Sequence, residues 1–313
     1  MTQTKPKLLE GIVVRVDAQY PVIECGDRRF RCVVRKKLKY KLKGHVKRVC
    51  VGDRVKCAPP ARADDLGAIE EVLPRKTQLV RSAAGRKGYQ QVVAANVDRL
   101  LVVVATKLPD LHPRLIDRML VAGEKGELDC IIIVNKTDLA DPVKIRASLD
   151  YYPDIGYPVI LTSATRGDGI DELREALKDK SSVIAGPSGA GKSSLLNVIQ
   201  PGLRLTTREV SGITGKGKHT TSFVQLLPLD FGGYVVDTPG IREFGLWDIE
   251  KRELAGFFRE MTEYIGSCKF SDCAHIHEPD CAIKAAVEAG EITRERYESY
   301  KHLFASLQVK DKW

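Results

Sequence analysis

The chain of 313 residues is long enough for two or three domains, and 43% of its residues are hydrophobic, as is usual where a core is buried. Its formal net charge of +9 favours a polyanionic partner, nucleic acid before any other, and a basic enzyme without such a partner is the alternative that charge alone leaves open. No apolar run approaches the length of a membrane span, and the first ten residues lack a signal or transit pattern, so we expect a cytoplasmic protein without membrane contact. We also expect a monomer.

The first predicted elements are short strands, rich in Val and Ile and separated by turn residues such as Gly26-Asp27 and Gly52-Asp53. They are Leu8–Val16, Val22–Cys25, Arg28–Val34, Arg54–Ala58 and Gly67–Val72. Five short strands in about 70 residues are typical of a small closed β-barrel of the OB type. We assign residues 1–75 to this barrel.

A basic stretch joins the third and fourth of these strands. Its eight basic residues, with no acidic one among them, are Arg35, Lys36, Lys37, Lys39, Lys41, Lys43, Lys47 and Arg48. With Phe30 and Tyr40 nearby, such a loop suits nucleic-acid binding through charge and base stacking. The alternative is a solvated run of charges that binds nothing.

From about residue 77 the pattern changes to buried-type strands that alternate with helices. The strands are Leu100–Ala105, Cys130–Val134, Val159–Thr162, Ser182–Ala185 and Tyr234–Val236, and two of the helices are Pro113–Ala122 and Ile170–Lys178. Apolar strands that alternate with helices predict a parallel sheet covered on both faces. We assign residues 76–245 to this α/β domain and residues 246–313 to a small, mostly helical domain.

Two motifs at strand ends indicate a binding site for guanine. In Asn135-Lys136-Thr137-Asp138, the Asp138 carboxylate can accept from the N1–H and 2-amino groups of guanine, a donor pair that adenine lacks. Asn135 can hold the loop and reach the base edge, and the Lys136 stem can lie along the ring. After the next strand, Ser163-Ala164 offers a backbone N–H to guanine O6. Each motif alone could be a turn or a helix N-cap.

Residues 186–193 match the phosphate-binding P-loop pattern G-x-x-x-x-G-K-[ST], and Ser194 follows directly. They are Gly186, Pro187, Ser188, Gly189, Ala190, Gly191, Lys192, Ser193 and Ser194, between a strand and a helix with Leu195, Leu196 and Ile199 on one face. Backbone N–H groups and the helix N-terminus would surround the phosphates of GTP or GDP. Lys192 would reach the β/γ oxygens, and Ser193 would ligate Mg²⁺. A glycine-rich turn that happens to carry a lysine is the alternative.

Two further segments would complete the nucleotide site. Asp237-Thr-Pro-Gly240 follows a strand, so Asp237 could hold Mg²⁺ through water and Gly240 could approach the γ-phosphate. Between the P-loop and this motif, a glycine-rich stretch carries His219, Thr220 and Thr221. One threonine hydroxyl could complete the Mg²⁺ shell. The choice between the two threonines stays open with Thr221 preferred, and simple β-propensity at a strand start is the alternative.

Three of the eight cysteines lie with a histidine in one short cluster. Cys268, Cys273, His275 and Cys281 supply a Cys₃His set, a standard closed site for structural zinc that leaves no open position for catalysis. His277 is a rival ligand, and free buried cysteines are the alternative. Val-rich, strand-like surroundings favour ordinary core or surface cysteines over a second metal site at the two other cysteine pairs, Cys25/Cys32 and Cys50/Cys57.

The guanine motifs precede the P-loop in this chain, whereas ordinary GTPases run in the order P-loop, first switch, D-x-x-G, N-K-x-D and Ser-Ala loop. Ligands of parallel sheets bind at the carboxyl ends of the strands wherever the chain is cut, so such a circular permutation preserves the site. Joining the old ends through the helix Ile170–Lys178, and opening the loop after Gly240, gives the order seen here. The C-terminal domain thereby follows directly on a mobile switch.

The barrel, the permuted GTPase domain and the C-terminal zinc region together resemble the bacterial small-ribosomal-subunit-dependent GTPase A family over nearly the whole chain. The most specific segments are Ala94-Ala-Asn-Val-Asp98, Gly186–Ser194, Gly217-Lys-His-Thr-Thr221 and the cysteine cluster. The resemblance implies one structural Zn²⁺ bound by His275 in preference to His277, and the rRNA of the small ribosomal subunit as partner. Pro187 and Ala190 depart from the family's usual residues, but neither side chain is needed for phosphate contact.

Ile241 stands where many GTPases have the glutamine that positions the attacking water. Another group must therefore orient the water, or intrinsic turnover must be slow. His219 is the candidate for this catalytic role, and the family resemblance supports it. A solvated loop histidine that touches RNA is the alternative.

We therefore expect a GTPase that binds the small (30S) ribosomal subunit, acts in its late maturation, and leaves it on hydrolysing GTP to GDP and phosphate. An RNA-binding checkpoint that uses GTP mainly as a ligand is one alternative, which Ile241 keeps open. A small-molecule kinase is another, which the guanine motif and the lack of an acceptor-binding lid disfavour.

Overall fold

The computed structural model describes residues 8–16, 20–35, 38, 46–47, 49–62, 65–82, 90–203, 224–237 and 249–307. Within these ranges the chain forms an N-terminal barrel, a central α/β domain and a small C-terminal domain. The helices in the same ranges are all too short or too polar to cross a bilayer.

The N-terminal domain is a closed barrel of five strands. They are β1 (Leu9–Val16), β2 (Pro21–Cys25), β3 (Arg28–Val34), β5 (Arg54–Ala58) and β6 (Gly67–Val72). The order around the barrel is β1-β2-β3-β6-β5, and β5 pairs with β1 to close it. Alternate residues point inward, as a small closed barrel requires, and the fully buried ones are Val13, Ile23, Cys32, Val55, Cys57 and Ile69.

The central domain is a sheet of six strands with helices on both faces. The strands are β9 (Arg99–Ala105), β10 (Asp129–Asn135), β11 (Val159–Leu161), β12 (Ser181–Ala185), β13 (Val224–Pro228) and β14 (Tyr234–Asp237). They lie in the order β11-β10-β9-β12-β14-β13, and all run parallel except β13. The helices are α1 (Pro113–Lys125), α2 (Pro142–Ala147), α3 (Tyr151–Asp154), α4 (Ile170–Leu177) and α5 (Lys192–Ile199).

Alternation along β9 divides its apolar side chains between two cores. Leu100 and Val102 pack with Ile116 of α1 on one face, whereas Leu101 and Val103 pack against α4 and α5 on the other. Because both faces are covered, β9 is apolar along its whole length and not only at alternate positions. Each such side chain contributes roughly 1.5–3 kcal/mol when it is fully buried. The central strand is therefore a rigid support for the loops at its end.

The barrel and the α/β sheet are continuous. Arg15 and Val16, at the end of β1, pair antiparallel with Gln225 and Val224 of β13, so that eleven strands form one sheet. Beside this seam lies a second, three-stranded sheet made of β4 (Val46–Lys47), β7 (Gln78–Ser82) and β8 (Gln90–Ala95). The two domains therefore share hydrogen bonds as well as a covalent connection.

The C-terminal domain packs against α1 of the central domain. It begins with 3₁₀ segments at Lys251–Phe257 and Arg259–Tyr264, and it ends with α6 (Ala282–Ala289) and α7 (Arg294–Ser306). Val121 of α1 belongs to the same apolar cluster as its buried residues, which include Leu254, Phe258, Met261, Ile283, Tyr300 and Leu303. The small domain thus completes its core with a helix of its neighbour.

A buried arginine also ties this domain to α1. Arg296 of α7 is 1% exposed, and it donates from Nε to Glu260 at 2.6 Å and from Nη1 to Asp117 of α1. Tyr152 donates its O–H to the same Asp117 at 2.7 Å. Removing one partner of such a buried pair leaves a charge unpaired and costs about 3–5 kcal/mol. The contact therefore fixes α7 on α1.

This architecture confirms the predicted fold class, a multidomain chain with an OB-type barrel, a circularly permuted α/β P-loop domain and a small, mostly helical domain with a metal-type cluster. The predicted strands match the observed ones to within a residue or two at each end, and α1 runs one turn beyond the predicted end. The sequence pattern predicts neither β4, β7 and β8 nor the bounds of β13. The domain limits at residues 75 and 245 stay predictions.

Candidate functional site

Four of the sequence motifs lie at one edge of the sheet, where the carboxyl ends of its parallel strands meet. Asn135 ends β10, Thr162 follows β11, Gly186 follows β12 and Asp237 ends β14. Strands β10 and β11 lie on one side of β9, and β12 and β14 lie on the other. The base motifs and the phosphate motifs therefore face each other across the end of β9, although the chain carries them in permuted order.

The loop after β12 needs glycine at the points where it passes close to its neighbours. Gly186 and Gly191 have φ angles of 155° and 89°. A Cβ on Gly186 would lie 1.9 Å from the carbonyl oxygen of Val103, and one on Gly191 would lie 2.2 Å from Asn135 Nδ2. The loop thus turns tightly over β9 into α5, whose N-terminal N–H groups attract anions.

Lys192, the first residue of α5, folds back over this loop. Its Nζ donates to the carbonyl oxygens of Gly186 at 2.7 Å and Pro187 at 2.8 Å. Burial lowers the pKa of Lys192 to about 8, because it desolvates the charged ammonium. A polyphosphate would offer this cation charged acceptors, which bind it more strongly than carbonyls. The other predicted phosphate-site residues lie in the same loop and first turn, namely Ser188, Gly189, Ala190, Ser193 and Ser194.

Asn135 links the two halves of the edge. Its side chain is 1% exposed, donates from Nδ2 to the carbonyl oxygen of Ala190 at 2.9 Å, and accepts at Oδ1 from the N–H of Ala164 at 3.2 Å. It therefore holds the base loop and the P-loop in one arrangement. The Ala164 N–H is engaged by this bond, so a guanine O6 would have to take it over from Asn135.

A neighbouring hydroxyl orients the carboxylate of Asp138. Ser163 Oγ donates to Asp138 Oδ1 at 2.6 Å, and this hydrogen bond lowers the pKa of Asp138. Arg166 donates from Nη2 to the Asp138 carbonyl oxygen at 3.4 Å. An ionised carboxylate held in one orientation is an acceptor for two donors of a base edge.

The loop after β9 is a part of this site that the sequence analysis missed. Thr106 donates its hydroxyl to the carbonyl oxygen of Lys136 at 2.6 Å, and Lys136 Nζ donates to the carbonyl oxygen of Leu108. Lys136 has a left-handed φ of 63°, and buried Thr137 donates its hydroxyl to the Thr162 carbonyl oxygen at 3.0 Å. Its place in the sequence was the one feature that could have predicted its role, because this loop follows the central strand at the same carboxyl edge of the sheet.

Several predicted residues lie outside the described ranges. They are His219, Thr220, Thr221, Gly240 and Ile241 near the proposed phosphate site, and Lys36, Lys37, Lys39, Tyr40, Lys41, Lys43 and Arg48 in the basic stretch. For Asp237 the structure gives the backbone, which pairs with Gln225. The roles assigned to these residues stay predictions.

The four predicted metal ligands come together in the loop before α6. The ligand atoms of Cys268, Cys273, His275 and Cys281 all lie within 4.8 Å of one another. The Sγ atoms of Cys268 and Cys281 are 3.8 Å apart, and His275 Nδ1 lies 3.5 Å and 3.4 Å from them. A tetrahedral zinc ion with bonds of about 2.1–2.3 Å separates its ligands by about 3.5–3.8 Å. The group therefore fits such an ion, and His277 is not part of it.

Glu278 shapes the metal loop without belonging to the ligand group. Burial opposes its charge, but the N–H groups of Ala274, Ile276 and His277 donate to its carboxylate at 2.9–3.1 Å and bring the pKa of Glu278 to about 2. These bonds hold the loop on either side of His275, whose φ of 59° is in the left-handed region. Such supporting bonds orient a metal ligand before the ion arrives.

The cysteines of the barrel are ordinary buried or partly buried residues, in agreement with the prediction of core or surface cysteines. Cys32 and Cys57 are fully buried, and burial raises the pKa of both thiols to about 12. Cys25 Sγ lies 3.6 Å from Cys57 Sγ, and Cys50 is buried beside β8. Across the part of the chain that the structure describes, the C-terminal group is the one set of three or more potential ligands close enough to share an ion.

Comparison with known sequences identifies a family. The sequence profile of the RsgA GTPase family matches residues 72–247. The small ribosomal subunit biogenesis GTPase RsgA of Gemmatimonas aurantiaca is 44% identical over 94% of this chain and 95% of its own length. The protein of the same name from Chlorobaculum tepidum is 42% identical over 96% of this chain and 98% of its own length.

Two solved structures share the fold over nearly the whole chain. YjeQ from Thermotoga maritima has a TM-score of 0.77 at 39% identity, with 96% of this chain and 99% of its own covered. YloQ, described as a circularly permuted GTPase, has a TM-score of 0.71 at 29% identity, with 98% of this chain and 97% of its own covered. The likeness therefore includes the barrel and the C-terminal domain as well as the central sheet.

Proposed function

Because this chain belongs to the RsgA GTPase family and is a GTP-hydrolysing enzyme, we propose that it acts in the biogenesis of the small ribosomal subunit. Relatives 42–44% identical to it over nearly their whole length are named for that role. The observation that carries the proposal is the meeting of base and phosphate motifs across the end of β9, in a chain that also holds a basic barrel and a Cys₃His loop. The protein would work in the cytoplasm, as a monomer.

The proposed nucleotide site draws on the segments at the carboxyl edge of the sheet. They are Asn135–Asp138 and Ser163–Ala164 for guanine, and Gly186–Ser194, Asp237 and Gly240 for the phosphates. Mg²⁺ bound with GTP would neutralise the charge on the β- and γ-phosphates, and we propose Ser193 and Thr221 as its protein ligands. Lys192 already lies over the loop as a cation, so it would stabilise charge that develops on the phosphate oxygens as the bond breaks.

Hydrolysis also needs a water molecule held in line with the γ-phosphate. Ile241 has no polar group to hold one, so we propose that His219 orients this water. We further propose that subunit binding places His219 in that position. Turnover would accordingly be slow in the free protein and faster on the subunit.

The partner would be the rRNA of the small subunit. The stretch between β3 and β5 carries eight basic residues without an acidic one, and the net charge of the chain is +9. A structural Zn²⁺ would hold the Cys₃His loop as a second, rigid contact. GTP would favour the bound state of the protein, and hydrolysis to GDP and phosphate would release it late in maturation.

The proposal is tested by measuring GTP turnover with and without purified small subunits. We expect strong stimulation of the unmodified protein. His219→Ala should bind GTP normally and lose the stimulation, because the residue positions water and not the base. His302→Ala, which removes an exposed histidine of α7, is the matched control and should behave like the unmodified protein.

Each other outcome changes the assignment. If subunits bind the GTP form selectively but never accelerate turnover, the protein is an RNA-binding checkpoint with GTP as a ligand. If subunits neither bind nor stimulate it, the ribosomal proposal is wrong. Stimulation that survives in His219→Ala would leave that histidine as an RNA contact.

A further inference from the structure

The segment Ala94–Asp98 is not used by the nucleotide or the metal site, and it lies where the barrel meets the GTPase sheet. Asn96 at its centre has a left-handed φ of 50°, which asparagine tolerates better than most residues. Its Nδ2 donates to the carbonyl oxygen of Gly52, in the turn that leads into β5, at 2.9 Å. Its Oδ1 accepts from the N–H of Lys76 at 3.0 Å. One side chain thus clamps a turn of the barrel to the segment that connects the two domains.

The turn that Asn96 holds has little freedom to move alone. Gly52 donates its N–H to the carbonyl oxygen of Val13 in β1 at 2.8 Å, and a Cβ on Gly52 would lie 1.9 Å from the carbonyl oxygen of Ala95. The next residue, Asp53, is fully buried and pairs with Arg75 at 2.7 Å. A displacement of the barrel would therefore be passed to Asn96.

The other end of the segment is fastened to the strand that carries the P-loop. Asp98 donates its N–H to the carbonyl oxygen of Ser181 at 2.7 Å, and its Oδ2 accepts from the N–H of Ser181 at 2.7 Å. Ser181 begins β12, and β12 ends at the residue before Gly186. Asn96 and Asp98 therefore connect the barrel turn to the P-loop strand over three residues.

A second connection runs through the sheet itself. Arg15 of β1 is the register partner of Gln225 in β13, and Gln225 is in turn the partner of Asp237 in β14. Three neighbouring strands thus align a barrel residue with the aspartate proposed to hold Mg²⁺ through water. The strand in the middle, β13, is also the first described element after residues 204–223, in which His219 and Thr221 lie.

The seam between the domains is not packed solid. A cavity of about 110 Å³ lies there, lined by Ile12, Val14, Asn96, Ser181, Leu226 and Tyr234 among others. That space is large enough to admit water molecules. A seam with such a cavity resists a small rigid shift of the barrel less than a close-packed seam would.

We propose that Asn96 is a positioning residue for the GTPase reaction, which couples the orientation of the barrel to the P-loop strand and to β13. RNA held by the barrel would thereby change nucleotide affinity and turnover at an edge of the sheet that it does not touch. The inference rests on the proposed function, because RNA at the barrel is its input. It adds a defined route and a residue that can be tested separately.

Asn96→Asp is the sharpest variant, because it keeps the acceptor for Lys76 and the tolerance of positive φ but loses the donor to Gly52. Glu71→Gln is the matched control, since it breaks an exposed ion pair with Lys56 in the barrel and does not touch the seam. Should Asn96→Asp fail to fold, Asn96→Gly fits the same backbone and removes both hydrogen bonds. The thermal midpoint of each variant reports whether the fold is kept.

The decisive quantity is the coupling factor, by which subunits raise the affinity for a non-hydrolysable GTP analogue. The same factor must appear as the gain in subunit affinity when the analogue binds, because binding linkage is reciprocal. We expect the factor to fall at least about fivefold in Asn96→Asp, within the usual range of coupling energies, while analogue affinity without subunits stays within about twofold. The stimulation of turnover should fall with it, and Glu71→Gln should change neither.

An unchanged coupling factor in a folded Asn96 variant would overturn the inference. The inference would also be overturned if an Asn96 variant lost the same factor of subunit affinity in its analogue-bound and GDP-bound forms. Asn96 would then only hold the barrel in place for RNA. If the unmodified protein itself shows no coupling, the proposed function is wrong, because there is then no coupling for Asn96 to transmit. The measurement on the unmodified protein alone identifies that case.

Discussion

Asp138 is held in its orientation before any base arrives. The hydrogen bond from Ser163 lowers the pKa of Asp138, so the carboxylate is ionised at neutral pH, and one of its oxygens is fixed at 2.6 Å from the hydroxyl. Since a fixed acceptor pair penalises any base that lacks two adjacent donors, guanine selectivity should depend on this one side chain.

Asp138→Asn should therefore weaken GTP binding by about tenfold to a hundredfold, the usual effect of losing a hydrogen bond to a charged group. It should raise the affinity for xanthosine triphosphate, because the amide supplies a donor where the carboxylate offered an acceptor. Titration of the protein with each nucleotide measures both affinities. Ser163→Ala is the control, which should weaken GTP binding without raising the affinity for xanthosine triphosphate. Unchanged guanine preference would place the base site elsewhere.

The lowered pKa of Lys192 predicts that nucleotide binding depends on pH. Its pKa is lowered to about 8 by burial, so the ammonium is charged below pH 8 and loses its proton above it. Phosphates favour the charged form, hence GTP binding above pH 8 should take up a proton. Affinity should fall with rising pH by at most about tenfold per unit.

Calorimetric titrations near pH 8.8, in buffers of different ionisation enthalpy, measure that proton uptake directly. Lys192→Arg keeps the positive charge without a titration in this range, so it separates the lysine from groups on the nucleotide that also titrate. Proton uptake of the same size in Lys192→Arg would show that the lysine is not its source.

Local sequence patterns predict most of the strands. Strand β9 is a continuous apolar run because both faces are buried, and its position was predicted to within one residue. The hairpin strands β7 and β8 mix polar and apolar residues, and β13 is short and ends in a proline. None of the three shows a clear two-residue alternation of apolar and polar side chains. Strand β13 owes its place to pairing with β1, which no local pattern reveals.

The docking of the C-terminal domain was also beyond a sequence pattern. Asp117 lies on an amphipathic helix, where an acidic residue normally indicates the solvated face. It is nevertheless 1% exposed, because Arg296 reaches it from 179 residues away in the chain. The metal ligands, in contrast, lie within fourteen residues and were brought together as their spacing indicated.

The metal loop and the docking contact should be separable. Cys273→Ser should lose the metal and unfold the loop before α6, with little change in GTP affinity, because none of the proposed GTP ligands lies beyond Gly240. Arg296→Met should keep the metal but leave Asp117 and Glu260 unpaired, which costs about 3–5 kcal/mol and should loosen α7 from α1. Bound zinc, GTP affinity and hydrogen exchange of α7 are the measurements. Loss of zinc in Arg296→Met would show that the two form one unit.

The net charge of +9 indicates polyanionic partners. Replacing Lys36, Lys37, Lys39 and Lys41 by Gln should weaken subunit binding and flatten its salt dependence. Each lost phosphate contact should reduce the log–log slope by about 0.7 to 0.9. Replacing the exposed Lys144 and Lys178 of the GTPase domain is the control. Equal slopes for both variants and the unmodified protein would show that the basic stretch is only solvated.

The continuous sheet also sets an order of events during synthesis. The end of β1 is made early, but its partner β13 follows roughly two hundred residues later, which takes on the order of 10–40 s at 5–20 residues per second. Until then the side of β1 that will pair with β13 is open, the kind of edge on which chains aggregate. The permutation also puts the proposed guanine motifs before the proposed phosphate motifs, so by this proposal nucleotide can stabilise the nascent chain only after β14 has emerged. A chaperone that covers the barrel edge during this interval would raise the yield of folded protein more than added GTP would.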